Sequence, residues 1–195
     1  NIWVYPNNEI DRKDKGCIYD PPKLLREIYS AFNVIKDLDS ISLSDVLVTT
    51  YMDNRIEKFI ADGGRVFYIQ RGWSGLPIVE VPFWRESIRL MEDHPAIENF
   101  KKEDGFNLQG FGLATDTAFD PKQIKGYDKI TPIITRVDGR RYRRSDYLLE
   151  MKKGKGKIIA STLRFEGGIG KQPTGIKNNT AALYLFNEIF RYLTI

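Results

Sequence analysis

The sequence predicts an α/β protein built on an open, mostly parallel, doubly wound sheet with a late β-hairpin and a C-terminal helix. Three stretches carry that expectation. Asp45 to Gln70 spells a strand, a helix and a second strand; Tyr142 to Ser161 alternates like two strands around a glycine turn; and the chain closes on an amphipathic helix.

In the first stretch, Val46, Leu47, Val48 and Thr49 form an apolar run of the kind buried between two helix layers, and Val66 to Ile69 form another. Between them Asp53 is placed to cap a helix whose Ile56, Phe59 and Ile60 share one face, and Gly63-Gly64 supplies its left-handed exit. Two strands joined by such a helix lie parallel through a right-handed crossover. Ligands of such sheets sit beyond the carboxyl ends of the strands, so Thr50 to Asn54 and Gln70 to Gly75 are where chemistry is to be sought.

The other elements follow in order. Ile2 to Tyr5 reads as a first strand, followed by the long polar loop NNEIDRKDKG. Asp20-Pro21-Pro22 opens a helix with Leu24, Leu25, Ile28 and Phe32 at helical spacing, and Asn33 to Leu38 reads as the next strand. From 71 to 130 glycines and prolines interrupt every long element, so this region is expected to decorate one end of the sheet, with short helices over Phe83 to Met91 and His94 to Phe100. Thr131 to Asp138, Tyr147 to Lys152 and Lys157 to Leu163 read as strands, with Gly154 and Gly156 reversing the chain. Asn179 or Thr180 caps the last helix, whose Ala182, Leu185, Phe186, Ile189, Phe190 and Leu193 make a wide apolar face.

The 195 residues, 42% of them hydrophobic, suit a single domain spanning 1–195. The chain begins with Asn rather than Met, which suggests a piece excised from a longer polypeptide. No apolar run approaches the about 20 residues of a membrane helix, so no membrane insertion is expected. One cysteine cannot form an internal disulfide and leaves the compartment open. The net charge of +4 is small, but Arg140, Arg141, Arg143 and Arg144 surround Tyr142, and Lys152, Lys153, Lys155 and Lys157 follow. Such a cluster can neutralise phosphates; the small total and the hairpin pattern favour a solvated hairpin over a nucleic-acid partner.

Motifs of catalysis are approached and missed. Gly72-Trp73-Ser74-Gly75-Leu76 resembles a nucleophile elbow, but Leu76 stands where the second glycine belongs, and His94 is the only histidine available as a base. Cys17 is the only thiol available as a nucleophile, and Lys13 and Lys15 nearby would lower its pKa, but a lone cysteine is more often an apolar filler. One His and one Cys cannot furnish a zinc site, and no carboxylate run has calcium-loop spacing, so neither metal nor cofactor is expected. Gly167 to Gln172 departs from a phosphate loop, with Phe165 in place of its first glycine and Gln172 in place of the magnesium-binding hydroxyl. Glu80, Glu86, Glu92 and Asp93 offer no readable glycosidase pair. Trp73, Phe83 and Trp84 can stack on sugar rings or pack against a neighbouring domain.

Four phrases in this order carry a family resemblance: Pro82-Phe83-Trp84-Arg85, His94 to Phe100, Phe106-Asn107-Leu108-Gln109, and Tyr147 to Ser161. Together they resemble a C-terminal region of glycoside hydrolase family 2 proteins of Bacteroides-type bacteria, and the likeness runs from about Val46 to the end. The resemblance implies a class I glutamine amidotransferase-like or flavodoxin-like accessory domain, attached to a β-sandwich and a catalytic barrel in a periplasmic or secreted protein. The barrel would hold the catalytic carboxylates, and no barrel fits in this chain. The cysteine elbow and late histidine of amidotransferases have no counterpart here. No catalytic residue is therefore expected, and Trp73, Phe83, Trp84 and His94 are the candidates for glycan or domain contact. The expected role is a non-catalytic module supporting domain packing, homo-oligomer contacts or carbohydrate contact. The alternatives are an independent hydrolase using Ser74, Cys17, Asp53 or His94 at the strand-end loops, and a basic module binding acidic polymers through Arg140 to Lys157.

Overall fold

The computed structural model describes residues 5, 12, 14–100, 102, 108–165 and 176–195. Ten strands share one open sheet: β1 (Gly16–Tyr19), β2 (Asn33–Val34), β3 (Val46–Thr49), β4 (Arg65–Ile69), β5 (Ile78–Glu80), β6 (Glu86–Met91), β7 (Thr117–Phe119), β8 (Lys129–Asp138), β9 (Arg144–Lys153) and β10 (Gly156–Ser161). Their order is β2-β1-β3-β4-β10-β9-β7-β5, with β8 against β9 and β6 against β8. The α/β class and the open sheet are those the sequence predicts. Parallel pairing is confined to β2, β1, β3, β4 and β10, and every other pairing is antiparallel.

The strand–helix–strand unit forms as read. Asp53 Oδ1 accepts from the N–H groups of Arg55 and Ile56 at 3.0 Å each, starting α1 (Asn54–Asp62). Gly63, at φ 122°, ends it. Ile56 and Ile60 are buried with Leu47, Val66, Tyr68 and Ile158 on one face of the sheet. The opposite face carries Val46, Val48, Phe67, Ile69 and Ile159, and onto it packs α3 (Thr180–Thr194), started by Asn179 Oδ1 accepting from Ala182 N–H at 3.0 Å. Phe186 lies within 5.2 Å of the Phe67 ring and 6.0 Å of Phe165, while Phe32 meets Phe190 edge-on at 5.3 Å. Each such buried ring contributes about 1.5–3 kcal/mol.

Several elements differ from the reading of the sequence. The first strand among the described residues is Gly16–Tyr19; of the strand expected over Ile2 to Tyr5, residues 2–4 lie outside those described and Tyr5 is in no strand. Cys17, placed in a loop by the sequence pattern, is thus a strand residue. After Asp20 the chain makes only a 3-10 turn, Arg26–Ala31, because the Asp20 side chain takes the Leu25 N–H and the Tyr29 hydroxyl. The strand expected over Asn33 to Leu38 spans two residues. Phe83 to Met91 is a 3-10 turn followed by β6, not a helix: Ile88 and Leu90 face outward and Arg89 faces in, which inverts the usual pattern. His94 to Phe100 holds a single 3-10 turn, Pro95–Ile97, and a short α2 (Leu108–Phe111) follows. Gly167 to Gln172 lies outside the described residues.

The antiparallel hairpin of β9 and β10 turns through Gly154, while Gly156 is already the first residue of β10. A Cβ on Gly156 would stand 2.1 Å from the Ile60 carbonyl oxygen and 2.3 Å from that of Gly64. Both obstacles are backbone, at the end of α1 and the start of β4. Gly156→Ala is therefore expected to destabilise the protein by at least about 2 kcal/mol, measured by urea unfolding; a change under about 0.5 kcal/mol would show that the contact relaxes freely.

Candidate functional site

Parallel strands β1 and β3 run to opposite neighbours, β2 and β4, which makes the gap between their carboxyl ends a topological switch point. In this protein Asp20 fills it. The side chain is buried, and its carboxylate accepts from Leu25 N–H at 2.7 Å, the Tyr29 hydroxyl at 2.8 Å and the Thr50 hydroxyl at 2.6 Å. Thr49 Oγ1, one residue earlier on β3, accepts from Tyr51 N–H at 3.0 Å.

The next strand end is closed in the same manner. Gln70, buried after β4, binds Leu76 twice: Oε1 accepts from its N–H and Nε2 donates to its carbonyl, each at 2.9 Å. Arg71 donates to the carbonyls of Thr162 at 2.9 Å and Leu163 at 2.6 Å, tying this loop to the end of β10. The RGWSG loop then leads into β5 rather than into a helix, so Ser74 does not sit on an elbow. Trp73, from the same loop, is 68% exposed.

His94 is committed elsewhere. Its Nδ1 accepts from Ala96 N–H at 3.1 Å, capping the 3-10 turn, which leaves the proton on Nε2 to donate to Glu150 Oε2 at 2.7 Å. The Tyr192 hydroxyl donates to the same oxygen at 3.1 Å, and Lys157 Nζ lies 3.9 Å from the Tyr192 ring centre. Burial pushes the Glu150 carboxyl up, but the hydrogen bonds from His94 and Tyr192 and the Lys157 charge outweigh it, so its pKa lies below the ordinary value. Lys157 is lowered by burial. Nδ1 of His94 thus holds its own turn, Nε2 joins the chain after β6 to Glu150 of β9, and Glu150 in turn binds Tyr192 of α3. A cavity of about 390 Å³ opens beside it, lined by Glu92, Asp93, Glu98 and Lys102 among others.

The remaining sequence candidates separate. Phe83 and Trp84 open the turn before β6, with Trp84 67% exposed, and neither the Trp73 loop nor His94 belongs to that turn. Asp53 serves as the α1 cap. Cys17 is buried on β1, with Sγ 3.9 Å from Asp45 Oδ2. Burial and the Asp45 charge raise its thiol pKa, the reverse of the activation that Lys13 and Lys15 suggest in the sequence. Sequence reading missed Asp20, Gln70 and Glu150; Asp20-Pro21-Pro22 looked like a helix start, and the pairing of Glu150 with His94 spans 56 positions. The structure also shows a cavity of about 750 Å³ at the tip of the β8–β9 hairpin, lined by residues of the arginine cluster.

Neither a family model nor a curated protein matches the sequence. Among solved structures, the chain is similar to a polyextremophilic β-galactosidase from the Antarctic haloarchaeon Halorubrum lacusprofundi, with 11% identity over 95% of this chain and 31% of that one, TM-score 0.45. It is also similar to the cold-adapted β-galactosidase of Rahnella sp. R3, with 14% identity over 93% of this chain and 31% of that one, TM-score 0.47. The chain spans less than a third of the length of either.

The burial of Cys17 gives a direct check. With a chromogenic disulfide reagent at pH 8, the native thiol is expected to react at least about tenfold slower than the urea-unfolded one. Equal rates would mean that β1 opens readily or that the thiol is activated.

Proposed function

We propose that this chain is a non-catalytic α/β module of a carbohydrate-degrading glycoside hydrolase, supporting the packing of neighbouring domains or of a second copy. The observation that carries the reading is the use made of the strand ends. At the positions where an open α/β sheet holds its ligands, Asp20, Gln70 and Arg71 bind backbone and hydroxyl groups of the fold itself. The four phrases shared with family 2 sequences supply the context. In that context a barrel elsewhere in the polypeptide breaks the glycosidic bond with two carboxylates about 5–9 Å apart, and this module shapes its surroundings.

Trp73 and Trp84 supply the contacts. Each leaves about two thirds of a large apolar side chain in solvent, and aromatic residues of this kind anchor protein interfaces. Phe83 adjoins Trp84 in the same turn, and His94 holds the adjoining segment in place rather than meeting the partner. A periplasmic or secreted setting follows from the same family likeness.

Two measurements test the proposal. The purified chain is expected to give no hydrolysis of aryl glycosides above the buffer rate; turnover abolished by replacing one acidic residue of this chain would sink the non-catalytic reading. The double change Trp73→Ala and Trp84→Ala is expected to leave the isolated module folded, with a single cooperative urea transition. In the multidomain polypeptide the same change is expected to lower the unfolding temperature or dissociate the assembly. Unchanged behaviour there would remove the tryptophans from the interface.

A further inference from the structure

We propose that the cavity at the tip of the β8–β9 hairpin binds an anionic saccharide, a sugar bearing a carboxylate or a sulfate. The inference goes beyond the scaffold role and needs no partner domain, so it stands or fails separately from it.

The tip is a built structure. Asp138 Oδ1 accepts from the N–H groups of Arg140 at 2.8 Å and Arg141 at 3.0 Å, and its backbone binds Tyr142 N–H and the Arg143 carbonyl at 2.9 Å each. The loop so fixed holds Tyr142 at φ 49°, a left-handed conformation that disfavours a side chain, with the residue 86% exposed. A glycine or asparagine would suit the turn better. The turn sets this backbone conformation, and the fold gains little burial from the ring, which is left in solvent beside the cavity.

Around it lies a cavity of about 750 Å³, within the range of small-molecule sites, to which Lys122, Arg141, Tyr142 and Arg144 contribute. Its carboxylates are Asp120 and Asp146. Arg143 pairs with Asp120 at 2.6 Å, and Gln123 Nε2 donates to the same oxygen at 2.7 Å. Among the described residues, Lys122, Arg141 and Arg144 make no ion pair.

These groups select a ligand class. Guanidinium groups present paired N–H donors that match a carboxylate or a sulfate. The exposed tyrosine ring offers an apolar face to the C–H face of a pyranose. Asp120 and Asp146 are buried and turned to the fold, Asp120 accepting from Arg143, Gln123 and the Lys122 N–H and Asp146 from the Thr135 hydroxyl, so a ligand in the cavity meets mainly the cations and the ring. The three cations of the cavity without an ion pair among the described residues fall short of the about six to ten phosphate contacts of an ordinary nucleic-acid binder, and for that reason a sugar with a single anionic group fits better than a nucleic acid.

Isothermal titration with trigalacturonate and with a sulfated galactan oligosaccharide is expected to show saturable binding of at least one, and the tighter of the two identifies the anion. Neutral galactotriose is expected to bind at least tenfold more weakly. Arg141→Ala with Arg144→Ala is expected to weaken binding at least tenfold, whereas Lys155→Ala, a charge lost at the β9–β10 turn, is expected to change it less than twofold. Tyr142→Gly separates function from folding, since it is expected to raise the unfolding temperature while weakening binding at least tenfold. The proposal is overturned if neither acidic sugar binds, if galactotriose binds equally well, or if Tyr142→Gly binds normally. It is also overturned if oligothymidylate binds more tightly than the sugars and loses affinity equally in the Arg141/Arg144 and Lys155 variants, which would indicate unspecific attraction of polyanions.

Discussion

The pairing of β4 with β10 holds the two halves of the sheet together. On one side of it lie β2, β1 and β3, all parallel; on the other lie β9 and the antiparallel strands built on it. The joint itself is five residue pairs, Lys157 with Arg65 through Ser161 with Ile69. It requires β10 to enter beside the end of α1, closer than any side chain permits, and there the chain has Gly156. Once seated, β10 contributes Ile159 to the α3 face and Ile158 and Ala160 to the α1 face, so both hydrophobic layers cross the joint. Neither half could complete its core without it.

The parallel half was legible in the sequence where local and global signals agree. Asp53, the Ile56/Ile60 stripe and Gly63 each serve the role that their type and spacing indicate. The last helix was legible for the same reason. The region from 71 to 130 was not, because its strands break the alternation rule. In β6, Arg89 is buried and binds Glu86 at 2.6 Å and the Gly110 carbonyl at 3.0 Å, while Ile88 and Leu90 lie outside. Tyr147 reaches the same Glu86 at 2.9 Å, and Arg136 is fully buried nearby on β8. A polar network of this kind reverses the inward and outward residues of a strand, and its partners Gly110 and Tyr147 lie 21 and 61 positions from the residues they bind.

The candidate site shows the same limit. Local rules located the strand-end loops, and the hairpin tip with its arginines was visible as a cluster. What the loops contain was not visible, since Thr50 and Asp20 lie 30 positions apart and Arg71 and Thr162 lie 91 apart. The result is a division of labour across the molecule. Polar groups at the carboxyl ends of the strands look inward and hold the fold, whereas the most exposed aromatic side chains among the described residues, Trp73, Trp84 and Tyr142, lie on loops and turns around it. Contact surface is placed on the connections, and the sheet supplies rigidity.

Asp20 gives the switch point a further meaning. Three donors, from Leu25, Tyr29 and Thr50, converge on one carboxylate, as they would on a bound acid or phosphate group. Here the anion is a side chain of the protein itself. A tethered group of this kind competes at the effective concentration of an intramolecular reaction, in the millimolar range or above, so a free anion arriving from solution faces a rival that never leaves. The crevice in which related architectures keep a cofactor has become an intramolecular complex, and the protein behaves there as its own saturating ligand.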